Sequence, residues 1–148
     1  MLLPAQIQTG QSHPMGACAR DGGVNFVVFS DHAQTIELCL FDASGAREIR
    51  RYALHGPHDG LFQGFLQGVG PGLVYGLRAH GARRAEAGQR FNPHKLLLDP
   101  WAREIVGHLS WRAEHFGYEV GHPDGDRSFD TRDNAAHALK AQIGRAHV

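Results

Sequence analysis

Short runs of apolar and β-branched residues, each closed by a turn rich in glycine or proline, fill the first 80 residues of the chain. The run 35–41 shows the pattern best, because Ile36, Leu38 and Leu40 fall on one face of an extended strand and polar or mixed residues on the other. Turn residues follow each run, since glycine supplies positive φ and proline fixes φ. The pattern predicts five β-strands, at 24–30, 35–41, 47–54, 61–66 and 73–80.

Strands at this close spacing, with no helix-length apolar period before Asn92, are typical of an antiparallel β-sandwich of the immunoglobulin-like type. We therefore predict an all-β fold, with the sandwich module at 16–90 and an N-terminal arm at 1–15 lying over the body or frayed. An irregular connecting segment at 91–142 follows the module.

Side-chain type predicts which strand residues lie in the core and which strand lies at an edge of its sheet. Phe26, Phe62, Phe65 and Tyr75 each lie within a strand run and are predicted to be core residues. The strand at 47–54 is the most polar, and charge on an edge strand discourages pairing with another chain. We therefore predict that it is an edge strand.

The stretch 88–103, GQRFNPHKLLLDPWAR, places three consecutive leucines between two Asx-Pro pairs. It predicts a segment that is anchored at both ends and pressed against an apolar surface. One helical turn is expected over 93–98, with proline at its first position, and Lys95 and Asp99 are expected to fix the turn geometry. The polar stretch 121–134 is predicted to be an extended surface loop.

Composition excludes several classes of function. Lys and Arg together number 15 and so do Asp and Glu, so a neutral chain gives no electrostatic reason to expect nucleic acid as a partner. The N-terminus lacks the pattern of a secretory signal, and no run approaches the roughly 20 apolar residues that span a bilayer. We expect no membrane partner, a cytoplasmic location, and reduced thiols at Cys18 and Cys39.

Candidate chemistry is sparse. Among 11 histidines, the closest group is His55 and His58 with Asp59, but a zinc site needs three or four converging ligands. Asp124, Asp126 and Asp130 have a faint calcium-loop spacing without the terminal glutamate. No phosphate-binding loop or nucleophile elbow occurs. The residues predict no metal, no cofactor and no catalytic group.

Several motifs, taken in order, resemble one family: HPMGACARDGGVNFVVFS, IELCLFD, GVGPGLVYGLRAHG, GQRFNPHKLLLDPWA, FGYEVG and SFDTRDNA. Over about residues 12–140 they resemble the N-terminal region of bacterial glycogen debranching enzymes of the isoamylase type. The resemblance implies a family-48 carbohydrate-binding module, followed by a connection into a family-13 glycoside hydrolase (β/α)8 barrel. The retaining mechanism of that barrel uses carboxylates on its strands, none of which has a counterpart here, so we expect the chain alone to be inactive.

The resemblance also implies partners: the C-terminal catalytic barrel of the same polypeptide and, through it, branched α-glucan. We predict that the leucine segment (residues 90–101) docks on that barrel, with Leu96, Leu97 and Leu98 divided between the sandwich and the barrel-facing surface. The predicted docking residues are Arg90, Phe91, Asn92, Pro93, Lys95, Leu97, Asp99, Pro100 and Trp101.

Members of the family that bind glycogen by themselves present tryptophans and a lysine near the last strands of the sandwich. Gly76 falls near the lysine position, Arg83 and Arg84 stand in the next loop, and Trp101 and Trp111 both follow the sandwich. The sequence therefore assigns no carbohydrate-binding residue. The leading hypothesis is a non-catalytic N-terminal portion of a glycogen debranching enzyme, and the alternative is a stand-alone glucan-binding or regulatory module.

The last six residues, IGRAHV at 143–148, resemble a translated sequencing adapter. We expect them not to be natural sequence, and they are left out of the fold prediction.

Overall fold

A computed structural model describes residues 3–84, 89–107, 112–124 and 128–144, with the backbone alone at 83, 84, 89, 90 and 113. The described strands are β1 (Gly16–Arg20), β2 (Gly23–Phe29), β3 (Thr35–Phe41), β4 (Glu48–Ala53), β5 (His55–His58), β6 (Leu61–Gln67), β7 (Val74–His80), β8 (Arg83–Arg84), β9 (Gln89–Arg90), β10 (Glu104–Val106) and β11 (Lys140–Gln142). Two short 3-10 helices are described, at Ala113–His115 and Ala135–His137. No described helix is long and apolar enough to cross a membrane.

Two antiparallel sheets form the body of the protein. One has the strand order β1-β2-β6-β5 and the other β10-β11-β7-β3-β4. The all-β sandwich is thus confirmed, and so is the edge position of the polar strand, which is β4. β8 and β9 pair separately as a two-stranded ladder.

The main core lies between the two sheets. Phe26 packs edge-on against Tyr75 with ring centroids 5.2 Å apart, and Phe62 is fully buried beside them in the same cluster. The core prediction is confirmed for these three aromatic residues and wrong for Phe65, which is only partly buried and lies beneath the Arg20 guanidinium. The strand alternation explains the difference, because Phe62 and Phe65 are three positions apart and so face opposite sides of β6.

The N-terminal arm crosses the outer face of the four-stranded sheet. Gln8 exchanges two backbone hydrogen bonds with Phe65, at 3.0 and 2.8 Å, on the part of β6 that does not pair with β5. Asn25, fully buried on that face, accepts from the Gln11 backbone N–H at 2.8 Å and donates to its carbonyl at 3.0 Å. The arm is therefore fixed to the sheet and not frayed over this stretch.

The outer face of the five-stranded sheet is also covered. Strand alternation turns Cys39, Phe41 and Val74 away from the main core, and there they form a second apolar cluster with Leu96, Ala135 and Ala138. Burial raises the pKa of the Cys39 thiol to about 12, and both cysteines are free thiols.

Two expectations for the C-terminal half are corrected. Residues 93–98 form a turn and then an extended stretch, because the backbone of Leu97 pairs with Leu77, on the part of β7 that β11 leaves unpaired, instead of closing a helical turn. The stretch 121–134 is not simply a surface loop, since it carries buried polar residues at its C-terminal end. Ile143 is buried in the main core and pairs through its backbone with Leu73, while the adapter origin of 143–148 stays a prediction.

Candidate functional site

The leucine segment is held on the sandwich by polar side chains. Asn92 is buried, and its amide nitrogen donates to the carbonyls of Gly117 and Asp130 at 3.0 and 2.8 Å. Its side-chain oxygen accepts from the His94 backbone N–H at 3.0 Å. An Asx-type turn therefore starts the segment where a helix N-terminus was expected.

Lys95 and Asp130 form a buried ion pair with Arg132 at its outer side. The Lys95 Nζ donates to the Arg132 carbonyl at 2.6 Å and lies 3.4 Å from Asp130 Oδ1. Burial lowers the pKa of Lys95, although the charge of Asp130 opposes that effect. Hydrogen bonds from the Arg132 guanidinium hold the pKa of Asp130 well below its usual range.

Arg78 links the segment to the middle of the five-stranded sheet. Its side chain is 1% exposed, and Nη1 donates to the Pro93 carbonyl at 3.1 Å. Nη2 donates to both carboxylate oxygens of Asp133 at 3.0 and 3.1 Å and lies 3.4 Å from Glu48. One guanidinium therefore joins β7, β4, the leucine segment and the stretch at 133.

The three leucines point in different directions. Leu96 is buried over Gly76, and Leu98 packs partly against the main core. The Leu97 backbone exchanges hydrogen bonds with Leu77 at 2.9 and 2.7 Å, while its side chain stays 47% exposed. The division between sandwich and open surface occurs as predicted, and the docking role of the open surface stays a prediction.

Asp99 fixes the end of the segment. It is buried, accepts from the Tyr75 hydroxyl at 2.7 Å and accepts from the Trp101 backbone N–H at 2.9 Å. Burial and, after it, the Asp99 charge raise the pKa of Tyr75 well above its usual range. Trp101 follows this turn with 58% of its surface exposed.

The nine predicted docking residues thus differ in how far they are buried. Asn92, Lys95 and Asp99 are buried and bound within the chain, so they shape the segment. Leu97, Pro100 and Trp101 are exposed. Phe91 and Pro93 are partly buried, and the side chain of Arg90 lies outside what the structure describes.

Two surface grooves flank these exposed residues. The edge groove, about 460 Å³, lies beside Leu97 and is lined mainly by apolar side chains that include Phe29, Leu77 and Phe91. The tryptophan groove, about 220 Å³, lies beyond Pro100 and is lined by Trp101 together with the polar residues Arg103, Glu104 and Gln142.

Within the described ranges, no group of three or more histidine, cysteine, aspartate or glutamate side chains is placed to hold a metal ion. His58 at the end of β5 and Asp59 in the turn after it are both exposed, with a 4.0 Å approach between their side chains. Asp130, which the sequence placed in a faint calcium pattern, is occupied by Lys95 and Arg132.

Replacing Asp130 by asparagine is expected to lower the free energy of unfolding at pH 7 by about 1.5–3 kcal/mol, because charge-assisted hydrogen bonds are lost. The folded-state pKa of Asp130 lies below the unfolded value of about 3.9. The stabilisation is therefore complete above that pH and is lost as pH falls toward the folded pKa. Urea denaturation of both proteins at pH 7, 4 and 2.5 should show their difference shrinking. Parallel stability curves would contradict this role for the carboxylate.

The fold and the site together define a β-sandwich module with aromatic and apolar grooves along its open edge. Residues 14–102 match carbohydrate-binding module 48, described as the isoamylase N-terminal domain. The match covers more than half of the chain, and the chain belongs to this family.

Curated relatives match the chain over most of its length. Glycogen debranching enzymes of Salmonella typhi and Salmonella dublin are 44% identical over 142 residues, which are 96% of this chain and 20% of those enzymes. The chain therefore spans about a fifth of the length of the curated relatives it matches.

Solved structures show the same fold at low identity. The catalytic module of the multi-modular glycogen-degrading pneumococcal virulence factor SpuA superposes with a TM-score of 0.58 at 14% identity, over 91% of this chain and 17% of that one. A pullulanase from Paenibacillus barengoltzii gives 0.52 at 16% identity, over 66% and 14%.

The structure also explains why Gly76 stands near the expected lysine position. A Cβ added at Gly76 would lie 2.7 to 2.8 Å from three side-chain carbons of Leu96. The leucine segment therefore covers this point of the sheet, and no longer side chain fits there while Leu96 stays in place.

Proposed function

We propose that this chain is the non-catalytic N-terminal module of a glycogen debranching enzyme, which docks on the catalytic part of the same polypeptide and shapes one side of the branched-glucan groove. The observation that carries the proposal is the 44% identity to glycogen debranching enzymes across 96% of the chain. The catalytic part supplies the hydrolysis of α-1,6 branches, and the module supplies a fixed surface.

The exposed apolar groups support a docking face. Phe29 and Leu97 both line the edge groove, and each keeps about half of its side chain exposed. Large apolar groups that share one patch normally mark an interaction surface. The buried polar anchors beneath the leucine segment hold Leu97 in place, so docking needs little reordering of this surface.

The test is a chimaera in which this chain replaces the matching N-terminal fifth of the Salmonella typhi glycogen debranching enzyme. We expect it to release reducing ends from a branched limit dextrin, whereas the chain alone releases none. Leu97→Asp in the chimaera should lower activity at least tenfold or lower the melting temperature by several degrees, because the carboxylate would be buried without a partner.

Ile49→Asp is the matched control, because Ile49 on β4 is 48% exposed and lines neither groove. It should leave the chimaera unchanged, and Leu97→Asp should leave the isolated chain folded. An unaffected Leu97→Asp chimaera would count against docking through this face. An inactive chimaera, together with strong retardation of the isolated chain in glycogen gels, would favour the stand-alone glucan-binding module.

A further inference from the structure

The tryptophan groove lies where the open edges of the two sheets meet. One wall is β1, the edge strand of the four-stranded sheet, through Ala17, Cys18 and Ala19. The opposite wall comes from β10 and β11 at the edge of the other sheet and from Ile143 and Gly144 directly after β11. Edge strands carry backbone N–H and C=O groups without a ladder partner, so the walls offer hydrogen-bonding groups as well as side chains.

Trp101 presents an exposed aromatic ring at the mouth of this groove. Its backbone N–H is bonded to Asp99, which the Tyr75 hydroxyl holds in the core. Its Cβ packs so closely on β1 that a Cβ added at Gly16 would lie 2.8 Å away. The backbone and Cβ of Trp101 are therefore held, and binding against the exposed indole has to fix only two side-chain torsions.

The groove also offers polar side chains that the fold does not use. Among the residues that the structure describes, neither Arg103 nor Glu104 has an ion-pair partner. Gln142 makes one long contact, from its amide nitrogen to the Gly72 carbonyl at 3.4 Å. A carboxylate, a guanidinium and an amide thus stand beside an exposed indole.

This combination suits a sugar ring better than a protein side chain. A pyranose has an apolar face, which stacks on an aromatic ring, and a rim of hydroxyls that both donate and accept hydrogen bonds. The volume of about 220 Å³ is below that of pockets enclosing a drug-sized ligand, so it fits a single ring lying against the surface. The amide and charged side chains that line the edge groove, Asn92 and Lys95, are already hydrogen-bonded within the chain.

We infer that the tryptophan groove binds one glucosyl unit of an α-glucan chain, with Trp101 as the stacking surface and Arg103, Glu104 and Gln142 bonding its hydroxyls. The inference rests on the proposed function for the class of sugar. It also divides the exposed residues of the leucine segment: Leu97 contacts protein, and Trp101 contacts the glucan that passes along the module.

The test is a titration of the full 148-residue chain with maltoheptaose, followed by 1H–15N NMR. Trp101→Phe assigns the indole signal against that of Trp111. We expect the Trp101 indole and the amides of Ala17 to Ala19 to shift, with a dissociation constant on the order of 1 mM. A β-1,4-linked oligosaccharide at equal concentration should cause smaller shifts.

Variants distinguish stacking on Trp101 from non-specific binding. Trp101→Ala should weaken binding about tenfold and Gln142→Ala a few-fold, whereas Trp101→Tyr should keep most of the affinity. Phe29→Ala removes an equally exposed aromatic group from the edge groove and should leave the affinity unchanged. The amide spectrum of each variant reports whether it remains folded.

The inference is overturned if maltoheptaose shifts no signal of the groove, or if Trp101→Ala and the wild type bind equally. Loss of signal through self-association of the β1 and β10 edges would also overturn it. The chimaera assay is independent of this titration. A chain that fails to bind maltoheptaose but supports debranching in the chimaera loses only the sugar site, and the converse result removes only the docking proposal.

Discussion

Gly76→Ala is expected to destabilise the chain by about 1–3 kcal/mol, the usual range for overpacking a close-packed site. The new Cβ would lie 2.7 Å from Leu96 Cγ and Cδ1, and Leu96 is itself buried in the second apolar cluster. Glycine to alanine in a strand normally stabilises by up to about 1 kcal/mol, so the sign alone is informative. Urea denaturation of both proteins measures it.

Gly70→Ala is the matched control, because an added Cβ there meets nothing within 4 Å. It should change stability by less than about 0.5 kcal/mol. Leu96→Ala should cost about 2–5 kcal/mol through the cavity it leaves. The double variant Gly76→Ala with Leu96→Ala should cost less than the sum of the single changes, because the clash is removed. Additive effects would mean that Leu96 does not limit this position.

The same contact bears on glucan binding at the last strands. Gly76→Lys should displace Leu96 and loosen the leucine segment, which would appear as faster amide exchange at Leu97. Restoring the lysine alone is therefore expected to damage the docking face before it creates a sugar site.

The sandwich could be predicted from local pattern wherever short apolar or alternating runs are closed by turn residues. β6 and the first half of β3 alternate between buried and less buried positions, whereas β2 and β7 are short apolar runs that are buried at nearly every position. β1 and β5 were not predicted, since GACAR has mostly small side chains and HGPH is exposed at every position. Both strands form because they pair with a neighbouring strand at an edge of the sheet, a tertiary interaction that the local sequence does not show.

The candidate site was predictable only in part. The position of the leucines between two Asx-Pro pairs indicated an anchored segment, and Leu97 and Trp101 are exposed there. The anchors themselves are distant in sequence: Arg78 and Asp133 are 55 positions apart, and Leu96 bonds Asn134 across 38. The polar residues of 121–134 predict a solvated loop, because nothing in the local sequence shows which buried groups they hydrogen-bond.

Arg78→Met should lower the free energy of unfolding by about 2–4 kcal/mol. Removing one partner of a buried pair typically costs 3–5 kcal/mol, and the cost is lower here because Glu48 and Asp133 are partly exposed and can be hydrated. Methionine keeps most of the apolar stem, so the loss comes from the charge and from the unpaired Pro93 carbonyl. Chemical denaturation gives the size, and hydrogen exchange gives the place: residues 92–98 should open before β2 and β6.

Arg47→Met is the control, since Arg47 is exposed and forms no side-chain bond among the described residues. It should change stability by less than about 0.5 kcal/mol. Arg78→Lys is the sharper comparison, because lysine keeps the charge but cannot bond Pro93, Asp133 and Glu48 at once through a planar fork. If Arg78→Lys retains full stability, the charge alone matters. If it falls close to Arg78→Met, the fork geometry of the guanidinium is what fastens the leucine segment to the sheet.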